Sequence, residues 1–107
     1  MKFMKIRDLP EPERPREKLL KYGADKLSDS ELLAILLRTG TKGKSVIEIA
    51  EEILRSAGGT FKGLAGKDTG DITKMLGVKD AKVATVAAAL EISRRVSKQI
   101  LKDKGII

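Results

Sequence analysis

A chain of 107 residues suits one small domain, and 41% hydrophobic residues are enough for a core; with two Phe and one Tyr, that core must be built from Leu, Ile, Val and Ala. The 22 Lys and Arg against 15 Asp and Glu leave a net charge of +7, which favours acidic partners such as nucleic acid without specifying a fold. Neither Cys nor His occurs, so there is no disulfide framework or thiol chemistry, and we expect no metal, no cofactor and no catalytic residue.

Residues 1–14 read as an extended arm, because Pro10, Pro12 and Pro15 interrupt helix, with Phe3, Ile6 and Leu9 as apolar anchors and Met4 as an alternative start. The arm lacks the apolar region of a signal peptide, and no run in the chain approaches the ~20 apolar residues of a membrane span, so we expect a soluble, cytoplasmic protein. A first helix fits Pro15 to Tyr22, with proline in its favoured first-turn place and Gly23 at the stop. Ser28 and Glu31 form a capping box that opens a second helix, which stops near Thr39-Gly40. Its run Leu32-Leu33-Ala34-Ile35-Leu36-Leu37 is apolar on every side, which places it at the buried centre.

A second capping box, Ser45 with Glu48, opens a third helix in which Val46, Ile49, Ala50, Ile53, Leu54 and Ala57 fall at helical spacing before Gly58-Gly59 ends it. A short helix fits Phe61 to Ala65, another fits Asp68 to Leu76 under an Asp68 cap, and the longest runs from about Asp80 to Ile100. The tail from Lys102 has no clear stop signal, and no strand-like alternation occurs. The expected fold is all-α, about five helices in a helix-hairpin-helix (SAM-like) bundle, with a helical domain over 15–101, a tail over 102–107, and one core of Leu32, Leu33, Ile35, Leu36, Ile49, Ile53, Val86 and Leu90.

The most informative stretch is residues 72–90, a helix, a tight turn at Gly77-Val78-Lys79 and a second helix opening at Asp80. Such a hairpin aims free backbone N–H groups and a helix N-terminus at one point, which suits a phosphate oxygen. Lys79 and Lys82 add cations there, so the unit can grip a nucleic-acid backbone without reading its sequence. Glycine is preferred at the second glycine position of such turns because it tolerates positive φ and lets a phosphate approach the backbone; Lys79 stands there instead and binds through its side chain. The bland alternative is a helix–turn–helix corner that only packs. The basic excess sits at both ends of the chain: residues 1–27 hold eight cations against five acids, and residues 67–107 hold nine against five.

Gly43-Lys44-Ser45 at a helix start has the look of a nucleotide-binding P-loop, but Arg38 occupies the required first glycine and no strand precedes it, so no ATP site is expected. The turn from Thr39 to Ser45, with Gly40, Lys42, Gly43 and Lys44, is a second candidate phosphate site; its alternative is solvated charge on a loop. Glu48, Glu51, Glu52 and Arg55 read as a solvated helix face with a Glu51–Arg55 pair, not as a spaced acid pair facing a cleft.

Arg14-Pro15-Arg16-Glu17-Lys18-Leu19-Leu20, the run from Leu27 through LLRTGTKGKSV to Val46, and Ala88-Ala89-Leu90-Glu91 with Arg94-Arg95 resemble the N-terminal region of RadC-like proteins, over residues 4 to about 97. Members of that family carry a further JAB/MPN metalloprotease-like domain with a His-x-His zinc motif. The resemblance therefore implies a helix-hairpin-helix-like N-terminal domain, separate from any peptidase-like activity, with an association to DNA repair. Family members have Gly-Ile-Gly where this chain has Gly77-Val78-Lys79.

Two functions follow as expectations. The first is a non-enzymatic helical module that binds DNA backbone through Gly77, Val78, Lys79 and Lys82, with Gly40, Lys42, Gly43 and Lys44 as the second set. The alternative is a protein-interaction domain that positions the metalloprotease-like domain or another partner. A base-excision glycosylase fragment shares the outline of residues 31–90, but it requires a catalytic Lys or Asp after a complete Gly-x-Gly hairpin, which is absent.

Overall fold

Residues 14–40, 43–76 and 80–107 are described by a computed structural model of the protein. Residues 1–13 of the expected extended arm, Lys42 and the turn Gly77-Val78-Lys79 lie outside the described residues. Among the described residues, six α-helices and one 3-10 turn make up the regular structure and no β-strand occurs, so the fold is all-α. The chain divides into two compact units, one ending at Leu64 and one beginning at Ala65.

In the first unit, α1 (Pro15–Tyr22) starts on its proline and ends at Gly23, whose φ of 94° no β-carbon obstructs and whose N–H donates to the Leu19 carbonyl at 2.9 Å. A 3-10 turn over Ala24–Lys26, which sequence spacing does not show, leads into the N-cap of α2 (Asp29–Leu37). Both anticipated capping boxes form. The Glu31 N–H donates to Ser28 Oγ at 3.2 Å while the Ser28 N–H donates to Glu31 Oε1 at 3.1 Å. The same exchange at 3.2 and 3.3 Å joins Ser45 and Glu48 at the start of α3 (Val46–Ser56). Each box satisfies two backbone donors that a helix start otherwise leaves open.

The two long helices of this unit pack on each other, and their buried faces differ in how well the sequence marks them. Val46, Ile49, Ala50, Ile53, Leu54 and Ala57 of the α3 segment are all buried, as their spacing predicts. On α2 the buried residues are Leu33, Ala34 and Leu37, while Leu32, Ile35 and Leu36 are half-buried. That corrects the expected core: α2 lies against the core by one side and is not enclosed. A uniformly apolar run has no polar face to fix its rotation, so its spacing leaves the buried side undetermined. The short α4 (Phe61–Ala65) follows, its Gly63 N–H donating to Thr60 Oγ1 at 3.2 Å.

In the second unit, α5 (Thr69–Leu76) and α6 (Asp80–Asp103) pack together, with Ile72, Val83, Val86 and Leu90 buried. Asp68 caps α5 as anticipated, accepting from the Asp71 N–H at 2.8 Å. The tail does contain a stop: α6 ends at Gly105, with φ 74°, where the Ile106 N–H reaches the Leu101 carbonyl at 2.9 Å and the Gly105 N–H reaches that of Lys102 at 3.0 Å. That crossed pair of bonds is the glycine-terminated helix end, and it corrects the reading of an unmarked tail.

Candidate nucleic-acid interface

The turn between α2 and α3 holds the second set of candidate residues. Arg38 closes α2 with φ 71° and ψ −55°, and the Thr39 N–H donates to the Leu37 carbonyl at 2.8 Å across it. Gly40 is explained by packing: a β-carbon there would collide with the Lys44 carbonyl oxygen. Gly43 takes φ 88° in open space.

Lys44 is engaged within the protein. Its Nζ donates to both carboxylate oxygens of Glu52 at 2.9 Å, one turn and more into α3. The α3 N-terminus is engaged as well, because the Ser45–Glu48 box takes two of its donors and the Ser45 side chain is buried. The expected Glu51–Arg55 pair does not form; both side chains are exposed, and Glu52 supplies the acidic partner of this region. Sequence reasoning missed the Lys44–Glu52 pair because eight residues and a helix start separate the two.

At the hairpin, Gly77, Val78 and Lys79 lie outside the described residues, and Lys82 stands half-buried in the first turns of α6. Farther along α6, Arg94 binds the segment that leads into α5. Its Nε donates to the Ala65 carbonyl at 3.0 Å, and its Nη2 donates to the carbonyls of Ala65 and, at 3.3 Å, Lys67. Arg94 also meets Glu91 Oε1 at 3.2 Å, and Arg95 meets Glu91 Oε2 at 3.0 Å. These hydrogen bonds from Arg95 and Arg94 hold the Glu91 carboxyl below its usual range. No sequence signal marks the Arg94 clamp, since its acceptors are backbone carbonyls 27 and 29 residues away.

Lys18 and Glu31 form the shortest ion pair among the described residues, 2.6 Å, and it ties α1 to the first turn of α2. Burial opposes ionisation of Glu31, but the Lys18 ammonium together with the Ser28 N–H and hydroxyl outweighs it and leaves the carboxyl below its ordinary value. Among the described residues no group of three or more acidic, His or Cys side chains is placed to hold a metal ion, and no helix is long and apolar enough to cross a membrane.

Residues 6–84 match the UPF0758 N-terminal domain. The chain belongs to the UPF0758 family. Its relatives include UPF0758 proteins of Clostridium botulinum strain Alaska E43 (47% identical over 95 residues, 86% of this chain and 40% of that protein) and Desulfitobacterium hafniense strain DCB-2 (47% over 95 residues, 89% and 41%). A UPF0758 protein of Nitrosospira multiformis is 50% identical over 103 residues, 94% of this chain and 44% of that protein. The RadC-like resemblance of the LLRTGTKGKSV region is thus the resemblance of a UPF0758 N-terminal domain. The chain spans less than half the length of these relatives, whose names give a family and no activity. No solved structure matches it.

Proposed function

We propose that this UPF0758 domain is a non-enzymatic, cytoplasmic helical module that binds DNA backbone without sequence specificity, the α5–α6 hairpin being the grip. The observation that supports it is the coincidence of a packed helical pair with a basic surplus: α5 and α6, which Gly77-Val78-Lys79 join in sequence, pack on each other, and residues 67–107 carry nine cations against five acids. The Thr39–Ser45 turn is the weaker of the two candidate contacts, because Lys44 must release Glu52 before it can meet a phosphate. The non-enzymatic part of the reading rests on a composition without histidine or cysteine, and the association with DNA repair rests on the family resemblance.

The test is a titration with double-stranded, single-stranded and branched DNA at several salt concentrations. Binding should weaken steeply with salt, each phosphate contact contributing a slope of ~0.9 in log K against log salt, and should vary little with sequence. Lys79→Glu with Lys82→Glu should weaken it far more than Lys2→Glu with Lys5→Glu, although both change net charge equally. Equal losses would reduce the binding to bulk attraction, and no binding at low salt would end the proposal.

A second reading, a protein-docking module, is favoured by one observation: Ile92, Val96 and Ile100 of α6 are solvent-exposed at a spacing that aligns them on one side of the helix.

A further inference from the structure

The C-terminal half of α6 stacks like charges on a stretch that nothing buries. Every residue from Glu91 to Asp103 is exposed. At roughly 100° per residue, Glu91, Arg95, Lys98 and Lys102 share one side of the helix. Glu91 is already engaged by Arg94 at 3.2 Å and by Arg95 at 3.0 Å. Past it, that side is cationic only. The residues three and four places from Lys98 are Arg94, Arg95, Leu101 and Lys102; those from Lys102 are Lys98, Gln99, Gly105 and Ile106. Neither lysine has an acid within reach on its own helix, and neither forms an ion pair among the described residues.

This arrangement costs the free helix stability. Like charges three and four residues apart repel, and Arg94–Lys98, Arg95–Lys98 and Lys98–Lys102 all have that spacing. A stretch without tertiary packing has little to offset the repulsion. The helix dipole accounts for Lys102 in the last turn, but it falls off before reaching Lys98 and Arg95. A row of negative charge laid along the ridge would remove the repulsion.

The surroundings of the ridge select which anion. Val96 and Ile100 each precede a ridge lysine by two residues and so lie roughly 160° round the helix from it; a bilayer that took up those apolar side chains would turn the lysines away. A protein interface is built round apolar and aromatic side chains, and from Glu91 onward the ridge side holds only Glu91, Arg95, Lys98 and Lys102. A nucleic-acid backbone needs neither apolar cover nor a shaped pocket; it offers closely repeated phosphates to cations spread over about 10 Å of helix axis. We infer that Arg95, Lys98 and Lys102 form a second phosphate-binding ridge for duplex DNA. Lys98 stands about 24 Å along α6 from Lys82, so it meets phosphates other than those at the hairpin. The inference rests on the DNA-binding reading above and adds a separate contact to it.

The experiment uses the 107-residue chain and a duplex of about 20 base pairs, two helical turns. Lys98→Gln with Lys102→Gln removes two charges and keeps good helix formers. Arg16→Gln with Lys62→Gln is the control, since both are exposed, lie off α6 and form no ion pair among the described residues. Two lost phosphate contacts should lower the slope of log K against log salt by ~1.8, so the ratio of parent to ridge-variant affinity should itself fall about tenfold between ~50 mM and ~200 mM salt. The control should leave the slope unchanged. Hydrogen exchange supplies a local readout: DNA should slow the amides from Arg95 to Lys102 in the parent and not in the ridge variant, whose free helix end should exchange more slowly than the parent's. A ridge variant that loses no more than the control overturns the inference, while the hairpin reading then stands or falls on its own Lys79 and Lys82 comparison. A ridge loss with no hairpin loss keeps the inference and removes the hairpin. A parent that binds no DNA at low salt ends both. Vesicles of phosphatidylglycerol and phosphatidylcholine, or a Glu-rich peptide, that bind through Lys98 and Lys102 more tightly than the duplex at equal salt would overturn the inference in favour of a membrane or an acidic protein.

Discussion

Arg38 is the only non-glycine residue with positive φ among the described residues, and its φ and ψ are those of the strained three-residue turn that the Thr39–Leu37 hydrogen bond closes. An arginine there holds its β-carbon in a region that glycine enters freely. Replacing Arg38 with Gly should raise stability by about 1 kcal/mol despite the greater freedom of the unfolded chain, read as a higher urea midpoint at unchanged slope. A lower midpoint would mean that the Arg38 side chain contributes contacts that outweigh the strain. Gly63 is the opposite case. A β-carbon there would run into the Ala57 carbonyl, which nothing flexible can move aside, so Gly63→Ala should destabilise by roughly 1–3 kcal/mol in the same assay. Glu31 gives the pH-dependent prediction. Its carboxyl titrates below the ordinary 4.5 in the folded protein, so its contribution is present in full above pH 4.5 and is lost as pH falls through the folded value. Stability measured against pH should therefore fall more steeply in the parent than in Glu31→Gln below pH 4.5; parallel curves would show that the Lys18 pair leaves the titration unaffected.

At the scale of the elements, the test of which side of α2 faces the core is a pair of truncations. Leu37→Ala should destabilise by about 2–5 kcal/mol, and Leu36→Ala by clearly less, because Leu37 is enclosed and Leu36 keeps part of its surface in water. Equal losses would place both in the core. What could be read in advance follows from what each segment leaves on its polar side. Two of the helix starts were legible because Ser28 with Glu31 and Ser45 with Glu48 are local patterns whose two bonds need nothing beyond one turn of chain. The buried face of α3 was legible because Glu48, Glu51, Glu52 and Arg55 mark its wet side. The face of α2 was not, since its six consecutive apolar residues mark no side at all. The candidate site was legible only as an inventory of glycines and cations. That Gly40 serves a close backbone approach, that Lys44 is held by Glu52, and that Arg94 reaches back to Ala65 depend on tertiary placement, which spacing along the chain does not encode.

At the scale of the whole molecule, a net charge of +7 on 107 residues repels itself, while the ion pairs outside Lys18–Glu31 are largely exposed and contribute little each. Screening should therefore stabilise the protein: the melting temperature should rise between low salt and ~0.15 M, where the Debye length falls to about 8 Å. A fall would show that the surface pairs outweigh the general repulsion. The long α6 helix has a consequence of another kind. Its buried side chains end at Leu90, and every residue from Glu91 to Asp103 is exposed, so beyond the Arg94 clamp the helix is maintained by its own backbone bonds and its glycine stop. Helices without tertiary packing are marginal in water. Amide hydrogens should accordingly exchange in a gradient along a single rod, slowest near Val86 and fastest past Val96, with no hinge residue between them. A partner that covers Ile92, Val96 and Ile100 would flatten that gradient without altering the rod, so the protection pattern of this one helix is a direct record of whether it is occupied.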